Sequence, residues 1–78
     1  MTTIQKLAVE IYDGAKDAGA SREQLTSYDL TRDDCAYIRR EYLGSSHASE
    51  LSDTELRQVI LAVEAEVRGI AACAGAWQ

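Results

Sequence analysis

His47 is the one histidine of this 78-residue chain, and Cys35 and Cys73 are its two cysteines, so nucleophilic or metal chemistry would have to be assembled from these three. A Ser/His/Asp or Cys/His set needs a nucleophile on a characteristic turn, and no nucleophile-elbow or cysteine-protease signature accompanies His47. Cys35, His47 and Cys73 also lack the paired Cys-x-x-Cys spacing that pre-organises a tetrahedral zinc site. The thiols read instead as two small buried apolar groups, kept reduced in an intracellular compartment. Asp33 and Asp34 are adjacent, so on a helix they point to different sides and suit a helix N-terminus better than paired acid/base work. No glycine-rich loop follows a strand, so no phosphate cradle is visible. The sequence therefore predicts no catalytic residues, no metal and no cofactor, and directs attention to binding.

Charge placement is the strongest binding signal. Thirteen acidic side chains against eight basic ones give a net charge of −5, which opposes non-specific attraction to phosphate backbones and anionic lipid. Between residues 50 and 66, Glu50, Asp53, Glu55, Glu64 and Glu66 face a single base, Arg57, for a local charge of −4. A helical projection of this segment predicts an acidic ridge opposite an apolar seam. Such a ridge is either a solvated face or a docking surface for a basic protein. Tyr37, with Arg39 and Arg40 beside it, and Trp77 are the contact candidates that accompany it, because half-exposed aromatics and arginines anchor interfaces. Tyr28 and Tyr42 are assigned to the core by helical phase.

The elements that must position these groups are all helical. Proline is absent and no segment alternates with a period of two. Thr2 and Gln5 have the spacing of a capping box, and Ile4, Leu7, Ala8, Ile11, Ala15 and Ala18 then recur at steps of three and four before Gly19, predicting a helix over 3–18. Ser21 and Gln24 repeat the box ahead of a short helix over 22–29, with Leu25 and Tyr28 as its apolar anchors. Thr31 caps a third over 32–43, with Cys35, Ile38 and Tyr42 as its stripe, Leu43 beside it and Gly44 as its stop. Ser45 to Ser49 read as a loop. Ser52 and Glu55 then open the longest helix, 53–74, along which Leu56, Ile60, Val63, Val67, Ile70 and Ala74 step by four and three like a heptad seam, widened by Val59. That seam is short for a free-standing coiled coil, so it either packs on the first helix or forms a dimer or target interface, with the apolar run 70–74 and Trp77 extending it.

A chain of this length supports one domain, 1–78, and the expected fold is all-α, a compact bundle of about four helices. No apolar run approaches the roughly 18 residues of a membrane span, and the N-terminus lacks a secretory pattern, so a soluble, cytoplasmic protein is expected.

Asp34-Cys35-Ala36-Tyr37, then Tyr42-Leu43-Gly44, then Ser46 and Leu51-Ser52-Asp53-Thr54-Glu55-Leu56 together resemble the helix–Gly–loop–helix pattern of GemA-type regulatory proteins of Mu-like phages. The resemblance spans residues 31–60 and implies a phage or mobile-element origin. It also implies a regulatory accessory that contacts DNA through Arg32, Arg39, Arg40 and Arg57. At the level of class, small acidic non-catalytic chains of this kind look like the inhibitors phages direct against host defences, anti-CRISPR proteins among them.

Three expectations follow. The first is an inhibitor that docks its acidic face on a basic surface of a host protein or ribonucleoprotein complex and blocks it, with no direct nucleic-acid contact of its own. The second is the DNA-contacting accessory. The third is a homodimerisation module pairing through the helix of residues 56–74.

Overall fold

Each helix opens on the hydroxyl residue that the sequence provides for it. The computed structural model describes residues 2–45 and 52–76, which form α1 (Thr3–Asp17), α2 (Arg22–Thr26), α3 (Arg32–Ser45) and α4 (Asp53–Ala76). At α1 the Gln5 N–H donates to Thr2 Oγ1 at 3.1 Å and the Thr2 N–H donates to Gln5 Oε1 at 2.9 Å. Ser21 and Gln24 repeat the exchange at 3.2 and 2.7 Å. Thr31 does so with a carboxylate, Asp34, at 3.1 and 3.0 Å. At α4 Ser52 Oγ accepts from the Glu55 N–H at 3.2 Å and donates to its carboxylate at 3.0 Å. Each cap satisfies backbone donors that have no partner inside the helix, an effect of about 1 kcal/mol apiece.

The helix ends are set by different chemistry, and all four depart from expectation, α4 by running to Ala76 where residue 74 was expected. Gly19 takes a positive φ of 98°; its N–H bonds the Lys16 carbonyl and the Ala20 N–H bonds that of Ala15, a Schellman closure one residue earlier than the predicted end. Helix α2 stops at Thr26, short of residue 29. The Thr26 and Ser27 hydroxyls both donate to the Glu23 carbonyl, at 2.9 and 3.1 Å, competing with the helical ladder at that turn. Tyr28 thus lies outside the helix. Helix α3 runs through Gly44 to Ser45, because among the described residues only Gly19 adopts the left-handed conformation that would make a glycine stop.

The core is a single apolar cluster: Leu7, Ala8 and Ile11 from α1, Ile38 from α3, and Val59, Val63 and Val67 from α4. Leu25 of α2 and Ala71 of α4 are also buried. The buried row of α4 is therefore 59, 63, 67, 71, in steps of four, and not the predicted heptad line; Leu56, Ile60 and Ile70 are half-buried beside it. A row of fours is the ridge with which globular helices pack across one another, whereas the heptad seam belongs to two long helices supercoiled side by side. Helix α4 has only shorter partners, chiefly α1 and α2. From Val59 to Ala71 the apolar face considered for dimer formation packs within the chain, while Ala72 and Cys73 beyond it are exposed. Among the described residues no helix is long and apolar enough to cross a membrane.

Between α2 and α3 the chain runs without helical bonds, and α4 supplies partners there. Glu64 Oε2 accepts from the Leu30 N–H at 3.1 Å. Arg68 Nε donates to the Tyr28 carbonyl at 2.9 Å, and its Nη2 meets Asp29 Oδ1 at 2.9 Å and Glu64 Oε1 at 3.5 Å. Four residues apart, Glu64 and Arg68 stand on one side of α4 and clamp the link between α2 and α3. The Glu64 side chain is only 21% exposed. A charge-assisted bond to a partly buried N–H is worth about 1.5–3 kcal/mol, so Glu64→Ala is expected to lower unfolding stability by that order. Exposed Glu66, changed to alanine, should stay within about 0.5 kcal/mol. Urea denaturation of the two variants checks the contrast.

Candidate protein-interaction surface

The residues singled out for binding fall into three groups. Glu50 and Trp77 lie outside the described residues, as does His47. Tyr37, Arg39 and Arg40 sit together on α3, and Asp53, Glu55, Glu64 and Glu66 are strung along α4.

The α4 carboxylates do not share one ridge. At about 100° per residue, Glu55 and Glu66 fall within about 20° of each other, as do Asp53 and Glu64, but the two pairs lie on opposite flanks. Asp53, Glu55 and Glu66 are exposed, while Glu64 is turned into the clamp on Leu30. Between the flanks, on the side away from the core, stands Leu61, 56% exposed and the one large hydrophobic side chain so exposed among the described residues. Exposed Ala65 and Ala72 follow it along the same side. None of Asp53, Glu55 and Glu66 forms an ion pair with a described residue, and neither does exposed Arg57.

On α3 the arginines differ. Arg40 lies over the Tyr37 ring, 5.7 Å from its centroid, and approaches Glu41 at 3.8 Å, whereas Arg39 is exposed. Arg32 is exposed at the opposite end of the helix. Tyr37 packs against the core cluster and its hydroxyl donates to Glu10 of α1. Tyr28 and Tyr42 also pack on the cluster, Tyr42 at the helical phase expected of it and Tyr28 from the link beyond the end of α2. Tyr28, freed from α2, donates its hydroxyl to Asp34 Oδ2 at 2.5 Å, the same oxygen that accepts from the Thr31 N–H.

These two tyrosine–carboxylate pairs border an open cleft of about 350 Å³ between α1 and α3, with Glu10, Gly14, Tyr28, Asp34 and Tyr37 in its walls. Sequence reasoning did not find it. Glu10 and Tyr37 are 27 positions apart, and nothing in either one's local pattern announces the other. Gly14 needs neither a positive φ nor a close neighbour: a Cβ there would meet nothing within 4 Å.

The thiols differ from expectation as well. Cys35 is half-buried, and Cys73 is exposed because the buried row of α4 turns through Ala71 instead. Burial first, and then the charges of Asp34 and Glu64, push the Cys35 thiol up. Among the described residues no three of histidine, cysteine, aspartate or glutamate converge on a metal position.

No family model matches the chain, and no curated protein or solved structure is significantly similar to it.

Both bonded phenols are raised to about 12. For Tyr28 burial is the largest cause, followed by the hydrogen bond and charge of Asp34; for Tyr37 the hydrogen bond to Glu10 leads, then burial and the charges of Glu10 and Glu41, with Arg40 opposing. A phenol held above its unfolded value of about 10 contributes stability that is complete below that pH and is lost as pH rises through the folded value. The fold is therefore expected to weaken between pH 10 and about 12, in step with phenolate absorbance of two tyrosines. In Tyr28→Phe one late-titrating phenol disappears and the alkaline loss is smaller.

Proposed function

We propose that this chain is a non-catalytic protein-binding module that docks on a basic surface of a partner. The observation that supports this most directly is the state of the α4 carboxylates. Asp53, Glu55 and Glu66 are exposed and have no cation partner among the described residues: of the two bases on α4, Arg68 is drawn inward to Tyr28 and Asp29, and Arg57 is exposed and pairs with none of them. The fold thus leaves a net charge of −5 largely on its surface. Exposed carboxylates of this kind accelerate encounter with a positive patch, and an apolar anchor such as Leu61 slows departure.

The finer reading is a phage or mobile-element inhibitor, acting in the host cytoplasm on a nucleic-acid-processing complex in the manner of an anti-CRISPR protein. A basic groove that holds nucleic acid is the kind of surface such carboxylates fit, and the local resemblance of residues 31–60 to GemA-type phage proteins supports the origin. Of the carboxylates first considered, Glu64 is better regarded as a structural residue and leaves the docking set.

Affinity capture from a bacterial host lysate, followed by identification of the retained complex, tests the reading. The variant for comparison is Glu55→Gln with Glu66→Lys, since glutamine keeps the reach needed at a capping position. Capture of a nucleic-acid-processing complex by the natural chain, reduced roughly tenfold by the double variant with circular dichroism unchanged, is the expected result. Equal capture by both would remove the α4 carboxylates from the function.

A further inference from the structure

We propose that the cleft between α1 and α3 is a receptor for one arginine side chain presented by a protein partner. The proposal deepens the docking reading by giving it a specific contact. Its walls carry two carboxylates, Glu10 and Asp34, two phenol rings, Tyr28 and Tyr37, and no basic residue. An anionic ligand is repelled by that set and a cationic one is attracted.

The hydrogen bonds orient the carboxylates without consuming them. Tyr37 donates to Oε2 of Glu10, and Tyr28 and Thr31 both donate to Oδ2 of Asp34. Oε1 of Glu10 and Oδ1 of Asp34 accept no hydrogen bond from a described residue. Each carboxylate is thus held by a neutral donor while a lone oxygen stays available. A planar guanidinium with several N–H donors can address two such oxygens and lie against a ring, whereas an ammonium is a point charge on a flexible stem. Tyr37 already accepts a guanidinium over its ring, that of Arg40, which lies outside the walls of the cleft.

Size and backbone agree with this occupant. A volume of about 350 Å³ is at the small end of ligand pockets, which suits one side chain better than a cofactor. Gly14 is otherwise unexplained: it lies in α1, where alanine would strengthen the helix, and open space surrounds its missing side chain. The absent Cβ lets an entering side chain lie close to the α1 backbone.

The test is a nuclear magnetic resonance titration of the full chain with N-acetyl-arginine amide, alongside its lysine and citrulline counterparts. Citrulline keeps the shape of arginine and removes the charge. Saturable shifts at the Gly14 amide and the Tyr37 ring are expected with arginine, with roughly tenfold weaker binding of citrulline and weaker binding of lysine. Glu10→Gln should weaken arginine binding, and Gly14→Met should block it while leaving the melting temperature unchanged or higher. Absence of saturable shifts with arginine overturns the proposal, as does equal binding of citrulline or lysine, or full binding by folded Gly14→Met. Because the probe is a small molecule, this outcome is independent of partner capture. Capture without arginine binding removes the cleft alone, and arginine binding without capture removes the assigned partner and leaves the cleft.

Discussion

The structure depends on how α4 satisfies the backbone between α2 and α3. Residues 27–31 leave one helix and enter the next, and peptide groups there have no ladder to join. Against a packed helix such groups need partners, and an unmet one costs about as much as several ordinary surface contacts gain. Glu64 takes the Leu30 N–H and Arg68 takes the Tyr28 carbonyl, so one turn of α4 supplies an acceptor and a donor to the same link. This fixes where α3 begins relative to α4. It also holds Tyr28 where its hydroxyl reaches Asp34, the carboxylate that completes the α3 cap.

The same clamp explains why α4 divides its charges. A carboxylate used as a backbone acceptor cannot also be a free docking group, so Glu64 belongs to the fold while Asp53, Glu55 and Glu66 face solvent. The apolar side is equally committed. Val59, Val63, Val67 and Ala71 are small or β-branched, which lets α1 and α2 approach α4 closely and leaves Leu61 alone on the outward side. The surfaces proposed for binding are what remains after the fold has taken its share: a carboxylate-bearing outer α4 and a cleft where α1 and α3 stand apart.

Local grammar was legible in the residues. Thr2, Ser21, Thr31 and Ser52 announce four helix starts because a capping bond spans only three positions, and Gly19 announces a stop because the left-handed turn falls on it. What crossed between helices was not legible. The heptad reading of α4 set Leu56, Ile60 and Ile70 in line with Val63 and Val67 and gave Val59 only as a widening of that seam, whereas packing against shorter helices selects the row of fours and so buries Val59 and Ala71 and exposes Cys73. The roles of Glu10 and Glu64 required knowing which helix lies beside which. Arg68 is the exception that could have been found, since a base four residues after Glu64 is visible in the sequence as a pair on one helix face.

Amide hydrogen exchange at Leu30 tests the central claim most directly. If Glu64 anchors the link between α2 and α3, the Leu30 N–H exchanges as slowly as the buried amides of α4, and in Glu64→Ala it accelerates selectively toward the rate of the Asp29 amide while the α4 amides keep their protection. A Leu30 amide that exchanges as freely as an exposed loop in the natural chain, or one whose rate Glu64→Ala leaves unchanged, would contradict the account.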